Sequence, residues 1–530
     1  MLLRTLIALA LLTATATAEE AVAPRSGEPF SGARGWLNTA APLDRDSLKG
    51  QVVLVDFWTY CCINCMHVIP DLKFIEEHYK DQPVVVVGVH CGKFDQEKDS
   101  DNIRAAVLRY GITHPVAVDS DFAIWRRFQV RSWPTLAVLD SHGRLIAKAA
   151  GEGHRDGLIK VIDKLLADGK ADGSLAALPL RFTPERDQTA AAAPLAFPGK
   201  VLADAPGHRL FIADSGHHRI LVADPAGAVR LVVGSGQPGL ADGPAAAARF
   251  DEPQGMALSE DGATLYVCDC LNHALRAVAL ADGSVHTLCG NGEQGSDRAY
   301  HGPGAKAQLN SPWDVCRSGG ALFIAMAGCH QIWRYELATG EVAVHAGTGK
   351  EAATDGGLGA SAFAQPSGVI ADSSRLYIAD SEASSVRAVD IGADGQVVTL
   401  AGSADLFGFG ATDGVGREAR FQHPLGIALV GSGNDAYLVV ADTYNHALRK
   451  IDPRSGAVTT LAGSGRTDAG SAAHIGFYEP GGVSAANDHL FVADTNHHRI
   501  VVLDLPGLTA HVLSLTLPAA PAAPAAVGQP

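Results

Sequence analysis

The sequence predicts an α/β domain followed by an all-β propeller of six blades. Three observations predict it. An apolar strand runs into a cysteine-bearing helix near residue 60. The composition then breaks into Ala, Pro and polar residues at 171–196. Beyond the break, one apolar run recurs six times, at intervals of 52 to 62 residues.

In chain order, residues 1–18 carry one positive charge (Arg4), an apolar core over 6–12 and Ala16-Thr17-Ala18. That pattern predicts a cleavable export signal and a periplasmic or secreted protein. No Cys follows the cleavage site to take a lipid, and no later run of about 20 apolar residues predicts a membrane span.

The first domain is expected over 28–170. Val52, Val53, Leu54 and Val55 read as a buried strand that also carries Asp56, Phe57 and Trp58. Cys65, Val68, Ile69, Leu72 and Ile75 share one side of a helix, which places Cys62 at its N-terminus. Free N–H groups and the helix dipole stabilise an anion there, and thiols so placed have pKa values lowered to roughly 3.5–7.5. No second C-x-x-C with structural-zinc spacing accompanies Cys62 and Cys65, so the pair reads as redox-active rather than metal-binding. A second buried strand follows over 83–89, a helix over 101–110, a short strand over 114–119, a hairpin over 137–147 and a closing helix over 158–166. Such alternation predicts parallel strands covered by helices. Cys91, at the end of the second strand, reads as a small buried core residue.

Asp56-Phe57-Trp58, Cys62 with Cys65, and Trp133-Pro134-Thr135 resemble the thioredoxin superfamily, in its TlpA-like secreted branch. The resemblance implies roles position by position. Cys62 would be the attacking thiol and Cys65 the resolving one, forming a redox-active disulfide with no other cofactor. Asp56 would take the proton of Cys65, and Pro134 would be a cis-proline beside the pair. Trp58, Trp133 and Cys61 would support the site. Cys61 stands where this family usually has Trp, and Ile63-Asn64 where it has Gly-Pro or similar.

After the 171–196 linker, in which 178–182 is expected to form one strand, a propeller is expected over 197–517 and an Ala/Pro-rich tail over 518–530. The six apolar runs end at Asp214, Asp269, Met326, Asp380, Asp442 and Asp494. A proline motif precedes every copy except the first, beginning at Pro253, Pro312, Pro366, Pro424 and Pro480. With two further strands after each run, the unit is four short strands, which cannot bury both faces unless units stack around an axis. Four residues past each run's end stand His218, His273, His330, Ser384, His446 and His498. One per blade around a ring, they predict residues that form turns by bonding their own backbone, not a metal site. Loops such as 241–250, 354–363 and 412–421 recur and are expected to be ordered.

Asp442-Thr-Tyr-Asn-His446 and Asp269-Cys-Leu-Asn-His273 resemble the NHL repeat. With Thr59-Tyr-Cys-Cys-Ile-Asn-Cys65, the chain resembles the NHL repeat-containing protein 2 family, a thioredoxin-like domain ahead of a six-bladed NHL propeller. The resemblance implies a thiol–disulfide oxidoreductase acting on protein thiols and disulfides with an upstream redox donor, and a protein partner on the propeller loops. A redox-inactive scaffold and a lactonase-like hydrolase are the alternatives. The net charge of −15, with basic residues dispersed, excludes a nucleic-acid or anionic-membrane footprint. Nine cysteines is an odd number, so one thiol at least is unpaired or pairs only transiently.

Overall fold

A computed structural model describes residues 28–185, 193–463, 465 and 475–518. The expected export signal and nearly all of the 518–530 tail lie outside the described residues. The described chain forms two compact units. The first takes in the chain up to Thr59, His67–Cys91 and Thr113–Glu185; the second takes in Tyr60–Met66, Gly92–Ile112 and the chain beyond 186.

The first unit is organised on a six-stranded sheet: β1 (Gly35–Leu37), β2 (Val52–Trp58), β3 (Val84–His90), β4 (Val116–Val118), β5 (Thr135–Leu139) and β6 (Leu145–Ala150), in the order β1-β4-β3-β2-β5-β6. Strands β2, β3 and β4 are parallel; β1, β5 and β6 run antiparallel to their neighbours. All seven residues of β2 are buried, as a strand covered on both faces requires. Val52 and Leu54 pack with Val68, Leu72 and Ile75 of α1 (Ile63–His78) on one face, and Val53, Val55 and Phe57 pack with Ile124 and Phe128 on the other. In the second unit, helix α2 (Ser100–Arg109) starts where the Asp99 carboxylate accepts from the Asp101 and Asn102 N–H groups. Short α3 (Ala123–Arg127) and long α4 (Arg155–Asp172) complete the helices, and α4 stops at Gly173, whose φ of +73° suits a left-handed C-cap.

The expected strand at 178–182 does not form. Leu180 and Phe182 pack against the first unit's core as irregular chain, and the Leu178 carbonyl bonds a side chain, Gln51 Nε2 at 3.0 Å, instead of a ladder partner.

From residue 200 the chain forms six antiparallel sheets in succession, over 200–233, 253–289, 301–346, 356–402, 414–462 and 480–512. Each has four sequential strands; blades 3, 4 and 5 gain a short fifth one on the outer edge. In five blades the buried Asp that ends the second strand pairs with an arginine of the third: Asp214–Arg219, Asp269–Arg276, Asp380–Arg387, Asp442–Arg449 and Asp494–Arg499, at 2.5–3.0 Å. Blade 3 has Met326 and Gln331 at these places. The recurrent loops are ordered by the same arginines: Arg276, Arg387 and Arg449 also hold Asp242, Asp355 and Asp413 at 2.7–2.8 Å. Each guanidinium lies over a buried phenylalanine from that loop, Phe250, Phe363 or Phe421.

The histidines take the left-handed turn conformation, φ between +48° and +57°, as does Ser384 at +45°. Their side chains do something else than bond their own backbone. Each imidazole Nδ1 accepts a backbone N–H from the start of the next blade: His218 from Glu252, His273 from Ser311, His330 from Gln365, His446 from Glu479 and His498 from Phe197, at 3.0–3.2 Å. Ser384 Oγ serves His423 in the same way at 3.3 Å. The reason is spatial: the turn ends beside the adjacent sheet, whose first residue has no ladder partner for that N–H. The His498–Phe197 bond joins the last blade to the first. Phe197-Pro198-Gly199 is therefore the first blade's proline motif, so the motif precedes all six copies and not five.

Candidate redox site

The site is built where β2 ends and α1 begins. The Cys62 carbonyl accepts from the Cys65 and Met66 N–H groups at 3.1 Å each, so Cys62 caps the helix. Its Sγ accepts from Cys65 N at 3.4 Å, the bond a serine oxygen makes at an N-cap. Cys62 and Cys65 thus lie one turn apart, as two thiols. Cys62 is partly exposed, whereas the other eight cysteines are buried.

Within the second unit, the chain on either side of Cys62 is held by groups distant in sequence. Buried Glu97 accepts from Cys61 N at 2.8 Å through one oxygen and from Lys93 N and Phe94 N at 2.9 Å through the other. Gln365 accepts from Ile63 N at 2.9 Å and donates to the Cys61 carbonyl at 2.8 Å. The Tyr60 hydroxyl donates to Glu479 at 3.0 Å, and Arg109 pairs with the same carboxylate at 3.2 Å. Phe94, His423, Tyr444 and Tyr60 form a ring cluster alongside, with centroids 4.5–5.6 Å apart. Lys93 pairs with Glu382. Burial pushes the Cys61 thiol well above its ordinary pKa; Glu382 and Glu97 add to this and Lys93 opposes it. Cys61 is a closed, protonated thiol.

The first unit holds the other expected residues. Asp56 is 2% exposed, paired in register with Gly88 of β3 and Leu136 of β5. Its Oδ1 has no hydrogen-bond partner among the described residues. Burial raises its pKa to about 7, and His114 opposes the rise. Trp58 is buried with its ring edge-on to His90 at 4.8 Å. The Trp133–Pro134 peptide bond is cis, and Trp133 packs on Trp125 at 4.7 Å. Cys91 donates to Asp119 at 3.5 Å inside the core, and burial raises its pKa.

Sequence reasoning missed Glu97, Gln365 and Glu479. The last two share a repeat position, the residue before each blade's proline: Phe197, Glu252, Ser311, Gln365, His423 and Glu479. All six have φ between +44° and +59°, an uncommon conformation for side-chain-bearing residues. The proline after each of them repeats while these six do not. Tyr60, Arg109, Tyr110, Glu252, Trp313 and Glu479 line a cavity of about 50 Å³ in the second unit.

A thioredoxin-like family model matches residues 50–145, and an NHL repeat model matches 477–503. NHL repeat-containing protein 2 of Homo sapiens is 40% identical over 515 residues, covering 91% of this chain and 70% of that protein. The chain belongs to the NHL repeat-containing protein 2 family. Protein SUPPRESSOR OF QUENCHING 1, chloroplastic, of Arabidopsis thaliana is 46% identical over 498 residues, 91% of this chain; the chain spans 47% of its length. Thiol-disulfide oxidoreductase YkuV of Bacillus subtilis is 30% identical over 140 residues, 26% of this chain and 93% of that protein.

In this NHL repeat-containing protein 2 relative, the repeated acids of the propeller are hydrogen-bonded within the fold. The strand-ending aspartates bond within their own blades, each also accepting a backbone N–H, as Asp269 does from Asp251 at 2.7 Å. Asp314 is held by Lys200 at 3.2 Å, and that ammonium also donates to the Ser367 and Leu425 carbonyls. Among the described residues, no group of three or more His, Cys, Asp or Glu could hold a metal ion, and no helix is long and apolar enough to cross a membrane.

Proposed function

We propose that this chain is an exported thiol–disulfide oxidoreductase in which Cys62 and Cys65 exchange with protein disulfides and the NHL propeller recruits the protein partner. The observation that carries the reading is the cysteine pattern: the one partly exposed thiol caps a helix, with a second thiol one turn on. The thioredoxin-like match and the likeness to YkuV support it.

In the reducing direction, the Cys62 thiolate attacks one sulfur of a substrate disulfide. A mixed disulfide forms, the substrate S–S bond breaks, and the departing thiolate takes a proton. Cys65 then gives its proton to Asp56 and attacks Cys62 Sγ, which releases the second substrate thiol and leaves a Cys62–Cys65 disulfide. An upstream dithiol donor returns the pair to thiols by the same exchange. The reverse sequence oxidises a substrate. A carboxyl group with a pKa of about 7 suits the proton-accepting role at neutral pH.

Reduction of insulin and of a small aromatic disulfide by the full chain is the test. Cys62→Ser should lose at least 100-fold in rate, and Cys65→Ser should accumulate mixed disulfides through Cys62, because the resolving step is lost. A Cys62→Ser chain with undiminished activity would remove the reading and return the scaffold alternative.

A further inference from the structure

The repeat position before each blade's proline supplies, in blade 4, a side chain that bonds the peptides on both sides of Cys62. Gln365 is 2% exposed, and its amide spans Cys62: Oε1 takes the Ile63 N–H at 2.9 Å and Nε2 reaches the Cys61 carbonyl at 2.8 Å. Its own backbone is fixed, since Gln365 N donates to His330 at 3.1 Å and φ is +59°. Ile63 is the first residue of α1, so its N–H is one of the groups that would otherwise face an anion at the helix terminus.

We propose that Gln365 is a positioning residue of the Cys62–Cys65 couple, occupying the first N–H of α1 and holding the peptides on both sides of Cys62, so that it sets the redox potential. This rests on the oxidoreductase reading. The amide oxygen presents the negative end of its dipole beside the cap and withdraws one donor from the Cys62 thiolate. Both effects disfavour the reduced form and hold the couple more reducing than an open helix terminus would. The loss of one hydrogen bond to a charged group sets the scale at about tenfold or more in the exchange equilibrium. Glu97 secures the preceding peptide from the other side, which leaves the amide of Gln365 as the adjustable contact.

Two variants of the full chain separate electrostatics from mere support. Gln365→Met removes the amide at similar volume and frees the Ile63 N–H. Its equilibrium with glutathione should shift about tenfold toward the dithiol, about 30 mV less negative for a two-electron couple. Gln365→Glu keeps the shape and adds a carboxylate, so it should shift the equilibrium the opposite way, more strongly at pH 8 than at pH 5. Opposite signs in the two variants support the proposal. Shifts within twofold of wild type, or of the same sign in both, overturn it, and circular dichroism spectra show whether both variants are folded. A wild-type chain with no measurable dithiol–disulfide couple overturns the oxidoreductase reading and this proposal with it; a normal wild-type couple with unmoved variants overturns the role of Gln365 alone.

Discussion

Asp56 sits in the middle of a strand buried along its whole length, and that placement gives it a pH signature. Its pKa rises from 3.8 in the open chain to about 7 in the fold, through burial. Below 3.8 both states hold the proton and the residue is neutral to stability. Between 3.8 and 7 the folded chain keeps a proton that the unfolded chain releases, so stability falls as pH rises through this window and levels off above it. Asp56→Asn removes that loss. Its melting temperature should rise relative to wild type between pH 5 and 8, by an amount worth a few kcal/mol at most. Turnover should show an inflection near pH 7 in wild type that the variant lacks. A stability difference that does not change with pH would show that Asp56 ionises freely in the fold. The residue was legible in the sequence because an acid inside an apolar run has few explanations. Gln365 was not, because its contacts lie 302 and 304 residues away in the chain and nothing local announces them.

Within each blade the legible part was what repeats: the apolar runs, the terminal aspartate, the histidine and the proline. Their spacing correctly predicts four strands and a tight turn. The error over the histidines came from looking for their partners inside the same repeat, whereas the acceptor and donor belong to different blades. The turn chemistry was right and the bond was misplaced. A consequence is that these side chains stabilise joints, not turns. His330→Ala leaves the buried Gln365 N–H without its acceptor at 3.1 Å, and should cost about 1–3 kcal/mol. Urea unfolding measures this; a change below about 0.5 kcal/mol would mean the joint does not depend on the imidazole. Strand 178–182 failed for the complementary reason. Apolar alternation favours a strand only where a neighbouring edge offers its N–H and C=O groups, and here the Leu178 carbonyl is bonded by a glutamine side chain.

At the scale of the molecule, the sequence counted six blades correctly but could not say how the ring closes. The last joint uses the same imidazole bond as four of the others, reinforced by residues 513–516. Thr516 lies beside 227–229 of blade 1, accepting from Val229 N at 3.0 Å and donating to Gly227 O at 2.9 Å, while Leu513 is buried between the first and last blades. A chain ending at residue 512 should lose this strap and melt at a lower temperature, with a cost of about 3 kcal/mol or more from Leu513 burial and the two bonds together. Unchanged melting would assign closure to the imidazole bond alone. The fold was legible because it is made of local patterns repeated; the placement of Cys62 among Glu97, Gln365 and Glu479 was not, because it is made of single contacts between distant segments.

The uniformity of the joints has a further consequence. Every blade has four main strands taken in sequence, and among the described residues the only pairing between the first blade and residues beyond the last one is the Ala228–Thr516 bridge. The hydroxyl after the terminal aspartate also bonds the next blade's proline carbonyl at the last joint, Thr495 to Pro198 at 2.9 Å, as Ser215 does to Pro253 at 2.6 Å and Thr443 to Pro480 at 2.8 Å. The joint between blades 6 and 1 therefore repeats the imidazole and hydroxyl bonds found at other joints and adds the 513–516 strap to them. A circular permutant whose ends fall between two other blades would keep the imidazole and hydroxyl bonds of this joint, and would keep the strap as long as 513–516 still follows the last strand of blade 6.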